Sequence, residues 1–234
     1  MISFCITVLN RLHQIKKTLR VNLSNNDPKY CEFILVDFNS TDGLKDYIHA
    51  NFKTELKSGY LKYYFTTQLI YWHASLAKNT SHILANEKYV VNLDCDNFTG
   101  YNGGKKLLEL HQENPNSIIH QSDLILGSGC CGRISLSKDN FIRLGGYDES
   151  FYPSGYNDPD LINRAEKLGI KYISWSNPNY NQAIKNTKEE NIENCFTNIT
   201  WDKMNKMNQL KSDFNIEHKE YVANRHKLHI GINI

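Results

Sequence analysis

KYVVNLDCDN, residues 88–97, decides how the rest of the chain is read. Val90, Val91 and Leu93 have the look of a buried strand, which then delivers Asp94 and Asp96 on either side of Cys95. An unpaired carboxylate is costly to bury, so these two must reach solvent, a cation or a hydrogen-bonding ligand. An Asp-x-Asp pair is by itself a weak signal, because Asp and Asn also favour ordinary turns at strand ends. Its meaning depends on what surrounds it.

Working outward, strand and helix patterns alternate through the first half of the chain. ISFCITVL (2–9) is a first apolar strand, followed by a helix with Leu12, Ile15, Leu19 and Leu23 at helical spacing and Asn10 as its expected cap. EFILVDF (32–38) is a second strand running into the turn cluster NSTDG, and Leu44, Tyr47 and Ile48 mark a short amphipathic helix. LKYYF (61–65) is a third strand, and residues 72–86 are expected to form a helix on Trp72, Leu76, Ile83 and Leu84. Such repeats imply an α/β fold with a mostly parallel sheet, whose ligands bind beyond the carboxyl ends of the strands. Thr7, Asn10 and Arg11 follow the first strand, Asp37 and Asn39 the second, and Asp94 and Asp96 the later one, so polar residues converge on one sheet edge.

The second half is less regular. LLELHQENPNS reads as a helix ending near Pro115, and SGCCGRISLS as a strand leading to a helix capped by Ser137 or Asp139. NDPDLINRAEKLG (157–169) starts a helix with Pro159 in its first turn, an inward face of Leu161, Ile162, Ala165 and Leu168, and Gly169 as the stop. The Asn- and Lys-rich stretch up to residue 194 is expected to be a loop or mobile segment, and residues 198–212 a helix through Trp201, Met204 and Met207. With no repeat and no Pro/Gly/Ser linker, a single domain over 1–234 is expected.

Composition narrows the classes of function. A formal charge of +2 over 234 residues leaves no electrostatic footprint for nucleic acid. No apolar run approaches the ~20 residues of a membrane span. The opening MISFCITVLN has neither a basic lead nor a cleavage site of the signal-peptide kind. Cys5, Cys31, Cys95, Cys130, Cys131 and Cys195 lack paired C-x-x-C spacing, which argues against zinc and for six reduced thiols in a cytoplasmic setting. Sequons at Asn22, Asn39, Asn79, Asn97 and Asn198 are then chance matches in a chain rich in Asn, Ser and Thr.

Four ordered stretches, ITVLNR, ILVDFNSTDG, LAKNTSHILANEKYVVNLDCDN and GGYDESFYPSGYNDPDLINRA, resemble the GT-A-fold glycosyltransferases of the family 2 type, the last with a galactosyltransferase-like acceptor motif. The resemblance runs to about residue 170. It implies a metal-dependent inverting transfer from a nucleotide-sugar, UDP-linked by analogy, to a hydroxyl of a glycan or similar acceptor. Residues 1–97 would hold the nucleotide-sugar and residues 98–234 the acceptor.

By this resemblance Thr7, Asn10 and Arg11 line the base and ribose pocket. Asp37 sits against base or ribose, with Phe38 standing where the family usually has a second acid. Lys78 and Asn79 occupy the place of a basic-Asn pair that faces the diphosphate. DCD becomes the metal motif, with Asp96 as direct ligand to Mn²⁺ or Mg²⁺, Asp94 on the ribose or the metal, and Cys95 contributing its backbone. Asp158 keeps the position of the base while Asn157 replaces the usual Glu, and Asp160 is the competitor, expected to be only a first-turn helix acid. The third metal ligand is unassigned: the His expected late in the chain is missing from SWSNPNYNQ, and His218, His226 and His229 have no mark of a ligand. Competing readings are a decayed glycan-binding module and a sugar nucleotidyltransferase. The latter lacks support because ITVLNRLHQ has no Gly-rich phosphate loop.

Overall fold

The computed structural model describes residues 1–122, 129–227 and 229–234, so the Ser128 that opens the SGCCGRISLS run lies outside the described residues. Alternation of apolar side chains along the strands gives the sheet two buried faces. Ile2, Phe4, Ile6, Phe33, Leu35 and Val91 pack on one side with Leu19, while Cys5, Ile34, Val36, Val90 and Leu136 pack on the other with Ala77 and Leu161. These residues are almost all fully excluded from solvent, and such burial is what stabilises a sheet covered on both faces.

The elements run β1 (Ile2–Val8), α1 (Leu12–Ser24), β2 (Cys31–Asp37), α2 (Leu44–Asn51), α3 (Lys53–Ser58), β3 (Leu61–Phe65), α4 (Ala74–Leu84) and β4 (Tyr89–Asn92). Then follow β5 (Asn97–Phe98), α5 (Gly103–Glu113), β6 (Ser117–His120), β7 (Ile134–Ser137), α6 (Lys138–Arg143), α7 (Asn157–Lys167), β8 (Lys171–Ser174), β9 (Gln182–Ala183), α8 (Lys188–Ile192) and α9 (Trp201–Glu217). Among the described residues they form a seven-stranded sheet of order β3-β2-β1-β4-β7-β6-β8, and β5 pairs separately with β9. The pairs β1–β2, β1–β4, β2–β3 and β6–β8 are parallel, whereas β7 is antiparallel to both its neighbours. The antiparallel β7 has a consequence for the site: it enters the sheet at the edge where β4 leaves. Cys131 and Gly132 therefore arrive beside Asp94, and the Asn92 amide donates to the Gly132 carbonyl at 2.8 Å.

Three local expectations are corrected. Asn10 does not cap α1; it adopts a left-handed backbone (φ 54°), and its side chain accepts from the Thr41 N–H. The cap is supplied from the neighbouring loop, where the Asp42 carboxylate accepts from Leu12 N–H at 2.8 Å. In α4 Ile83 is exposed although Trp72, Leu76 and Leu84 pack on the core as expected, and the buried surface also carries the polar Lys78, Asn79, Thr80, Ser81 and His82. This helix joins the two halves through hydrogen bonds, Asn79 holding the backbone of Tyr147 at both N–H and C=O. The Asn- and Lys-rich stretch is not bare loop, since it contains β9 and α8, the latter opened by a capping box of Thr187 and Glu190. Of the sequons, Asn22, Asn79 and Asn97 have buried side chains tied to backbone carbonyls or to Asp96 and are closed to modification in the folded chain.

Candidate active site

A cavity of about 730 Å³ opens at the carboxyl edge of the sheet. Its walls include the β1 end with α1 (Thr7, Arg11, Gln14), the DCD turn, and the start of α7 with Tyr156 and Asp158. Trp72 and Lys78 contribute from around α4, and Ile184, Asn186, Asn191 and Asn194 from the stretch after β9.

The DCD turn is held by its neighbours. Asp94 Oδ1 accepts from the Asn92 amide at 3.0 Å. Asp96 accepts at one oxygen from Asn97 (2.6 Å) and at the other from Asn186. Burial, and then the charge of Asp94, push the Asp96 carboxyl up to about 6. A buried carboxyl pushed up by the charge of a second carboxylate beside it marks a place where a cation is welcome. Cys95 is turned inward: its carbonyl accepts from Thr18 Oγ1 at 2.7 Å, its sulfur donates to Gln14, and burial holds the thiol well above its ordinary range.

Opposite the DCD turn, Asp158 Oδ1 is 2.7 Å from Lys78 Nζ, a lysine only 6% exposed. Burial works against the Lys78 charge, but Asp158 and then Asp94 hold its pKa above the ordinary value. The floor between the two acids is Gly132. A Cβ there would lie 2.7 Å from Asp94 Oδ2 and 3.4 Å from Asp158 Oδ2, so the gap between the carboxylates exists because this residue has no side chain.

The remaining residues singled out in the sequence fall elsewhere. Asp37 is fully buried and accepts from Ser40 N–H (2.8 Å) and Tyr63 O–H (2.7 Å), outside the cavity wall. Asn10 is likewise engaged with the turn at Thr41. Phe38 is wholly buried and backs Trp72 edge-on, which removes it from any ligand. Asp160 is paired inside the core with Arg164 at 2.8 Å and does not compete with Asp158 for the cavity. Asn157 donates to Ser75 Oγ at 2.6 Å.

His120 lines the cavity, but one ring nitrogen meets the Cys131 carbonyl and the other the Tyr172 hydroxyl, so neither is offered to a metal. Sequence reasoning missed Gly132, Asn186 and Glu193. The last two lie in a stretch with no periodicity, and only the third dimension brings them to Asp96 and Arg11.

The donor set suits a hard divalent ion as far as it goes. Among the described residues no group of three or more His, Cys, Asp or Glu forms a closed metal cage. Two carboxylates completed by ligand phosphates and water is how Mg²⁺-type ions are commonly held, and Asp94 with Asp96 provides that.

By sequence, the model of glycosyl transferase family 2 matches residues 3–127, and that of the N-terminal domain of galactosyltransferase matches residues 124–188. No curated protein matches the chain by sequence. Among solved structures, the mannosyltransferase PcManGT from Pyrobaculum calidifontis, in complex with GDP-Man and Mn²⁺, is similar at TM-score 0.62 and 16% identity, over 75% of this chain and 55% of that one. S. aureus TarS 1–349 in complex with UDP-GlcNAc is similar at TM-score 0.67 and 14% identity, over 84% of this chain and 61% of that one. At such identities the likeness is one of fold, a GT-A-type arrangement, and this chain spans less than two thirds of either neighbour.

Proposed function

Because the chain belongs to glycosyl transferase family 2, we propose that it is a metal-dependent, inverting glycosyltransferase moving a hexosyl unit from a nucleotide-sugar, UDP-linked in the first instance, to a hydroxyl of a glycan or related acceptor. The observation that carries this reading is the facing pair of acidic groups across one cavity, the DCD carboxylates on one side of Gly132 and Asp158 on the other. A transferase needs an anion-managing end for the leaving diphosphate and a proton acceptor at the opposite end for the acceptor hydroxyl.

Charge supports a role for Mn²⁺ or Mg²⁺. Among the described lining residues, Asp94, Asp96, Asp158 and Glu166 outnumber Arg11 and Lys78, and both of these cations are already paired with carboxylates. A diphosphate entering such a site is repelled unless a divalent ion accompanies it, and Asp96 with Asp94 would hold that ion. Bound there, the ion offsets diphosphate charge and draws electron density from the leaving group.

The chain's own residues do the rest. Lys78 fixes Asp158 through Oδ1, which leaves Oδ2 directed at the space above Gly132. From there Asp158 takes the acceptor's hydroxyl proton as its oxygen attacks the anomeric carbon and the bond to the diphosphate breaks, inverting that carbon. Thr7 and Arg11 line the nucleotide end, while Tyr156, which holds a left-handed backbone (φ 59°) at the start of α7, faces the acceptor. Residues 1–97 thus serve the donor and residues 98–234 chiefly the acceptor. The test is a donor-hydrolysis screen across UDP-, GDP- and dTDP-sugars with Mn²⁺; turnover of one class supports the reading, and failure to bind or turn over any of them counts against it.

A further inference from the structure

The stretch after β9 lies across the nucleotide end of the cavity, and its contacts fall on the two turns assigned to the donor. Ile184 N–H donates to the Asp96 carbonyl at 2.8 Å. Asn186 bridges, accepting from Gln14 at 2.8 Å and donating to the Asp96 carboxylate. Asn194 donates to the Leu9 carbonyl at 3.0 Å and accepts from Trp72 N–H at 2.8 Å. Between them, the Glu193 carboxylate is 2.8 Å from the Arg11 guanidinium, which also donates to the Glu190 carbonyl.

The two cations lining the cavity among the described residues are held in different ways. Lys78 is buried beneath Asp158, with 7% of its side chain exposed. Arg11 is set in the wall at 13% exposure, whereas its partner Glu193 approaches from solvent at 47%. A half-exposed carboxylate is screened and free to swing away, so this pair is exchangeable in a way the Lys78 pair is not. Arg11 is therefore the cation that an anionic ligand can win, and Glu193 is what it must displace.

Resting on the transferase reading above, we propose that Glu193 is a specificity-determining residue of the donor site. By holding Arg11 it withholds that guanidinium from an incoming diphosphate and makes donor binding depend on a divalent cation at Asp94 and Asp96. Residues 184–194 then form a further wall that the donor meets as a competitor for its own binding groups.

Calorimetry of UDP tests this on the full chain, with Mn²⁺ and with EDTA, for the parent, Glu193→Gln, Arg11→Gln, the double variant and Glu189→Gln as an exposed neighbour outside the site. Glu193→Gln keeps the shape of a solvent-facing side chain, so the fold is preserved. UDP affinity in EDTA should rise roughly threefold to tenfold, the size of effect expected when a partly exposed ion-pair competitor is removed. The enhancement given by Mn²⁺ should shrink accordingly. Glu189→Gln should match the parent, and the gain should vanish in the Arg11→Gln background. If the parent binds UDP and Glu193→Gln binds it equally or more weakly in EDTA, this inference fails while the transferase reading stands. If neither UDP nor GDP binds the parent with Mn²⁺, the transferase reading falls and the inference with it.

Discussion

Replacing Gly132 by alanine adds one methyl group to the floor between the two acids. That methyl carbon would sit 2.7 Å from Asp94 Oδ2, against the 3.4 Å at which ordinary contact begins, so one of the two must yield by about 0.7 Å. It would also touch Asp158 Oδ2 and the Asn92 amide at 3.4 Å, so retreat toward Asp158 is blocked. Displacements approaching 1 Å at reacting groups cost on the order of 10²-fold in rate, and Gly132→Ala is expected to lose transfer by about that factor. The fold should hardly notice. Gly132 does not require a left-handed backbone, its carbonyl still accepts from Asn92, and the stability change should stay within ~1 kcal/mol. Donor turnover is measured beside a thermal melt for parent and variant. Activity within a few-fold of the parent at unchanged stability would refute the claim that the space above Gly132 is where the sugar changes hands.

Asp158→Asn should keep the fold and UDP affinity while losing about 10²–10⁴-fold in transfer, since an amide cannot take the acceptor's proton; normal transfer by this variant would place the base elsewhere. Asp160→Asn should instead unfold the chain more easily, by ~3–5 kcal/mol in urea, because it strands the buried Arg164. A midpoint shift of only a few tenths of a kcal/mol would overturn that. Stability should also fall below neutral pH. Burial pushes His82 down to about 3 and His111 down to about 4, both below the unfolded value of about 6.5. The unfolded chain therefore binds more protons as pH drops from about 6.5 towards these values, and each histidine can remove up to ~1.4 kcal/mol per pH unit. His73, also pushed down by burial, adds to this loss, while Asp96, raised to about 6, works in the opposite direction over part of that window. His82→Asn should flatten the loss measured by urea unfolding between pH 7 and 5, and an unaltered slope would contradict the assignment.

Much of the frame was legible because it depends on local pattern. Continuous apolar runs, helical spacing between them and acids at strand ends placed the sheet, its binding edge and the DCD turn. What the pattern could not supply was partnership at long range. Asp37 and Asp94 look alike in sequence, each an acid at or just past a strand end, yet Tyr63 and Ser40 consume the first while the second faces the cavity. Asp160 reads in sequence only as a first-turn helix acid, because the burial of Arg164 four residues on is set by the turn of Leu144 and Gly146 against it. Lys78 on an amphipathic helix is indistinguishable from a solvated lysine until α7 brings Asp158 to it. The Asn-rich stretch gave no periodic signal, since its order comes from side-chain amides bonded to a distant turn.

The claim on which the rest depends is that Asp96, with Asp94, makes nucleotide binding depend on a divalent ion. Calorimetry of UDP with and without Mn²⁺, on the parent and on Asp96→Ala, measures it directly. The account predicts that Mn²⁺ strengthens UDP binding to the parent by tenfold or more, about 1.4 kcal/mol per factor of ten, and that Asp96→Ala loses this enhancement. Equal UDP affinity in all four measurements would contradict it.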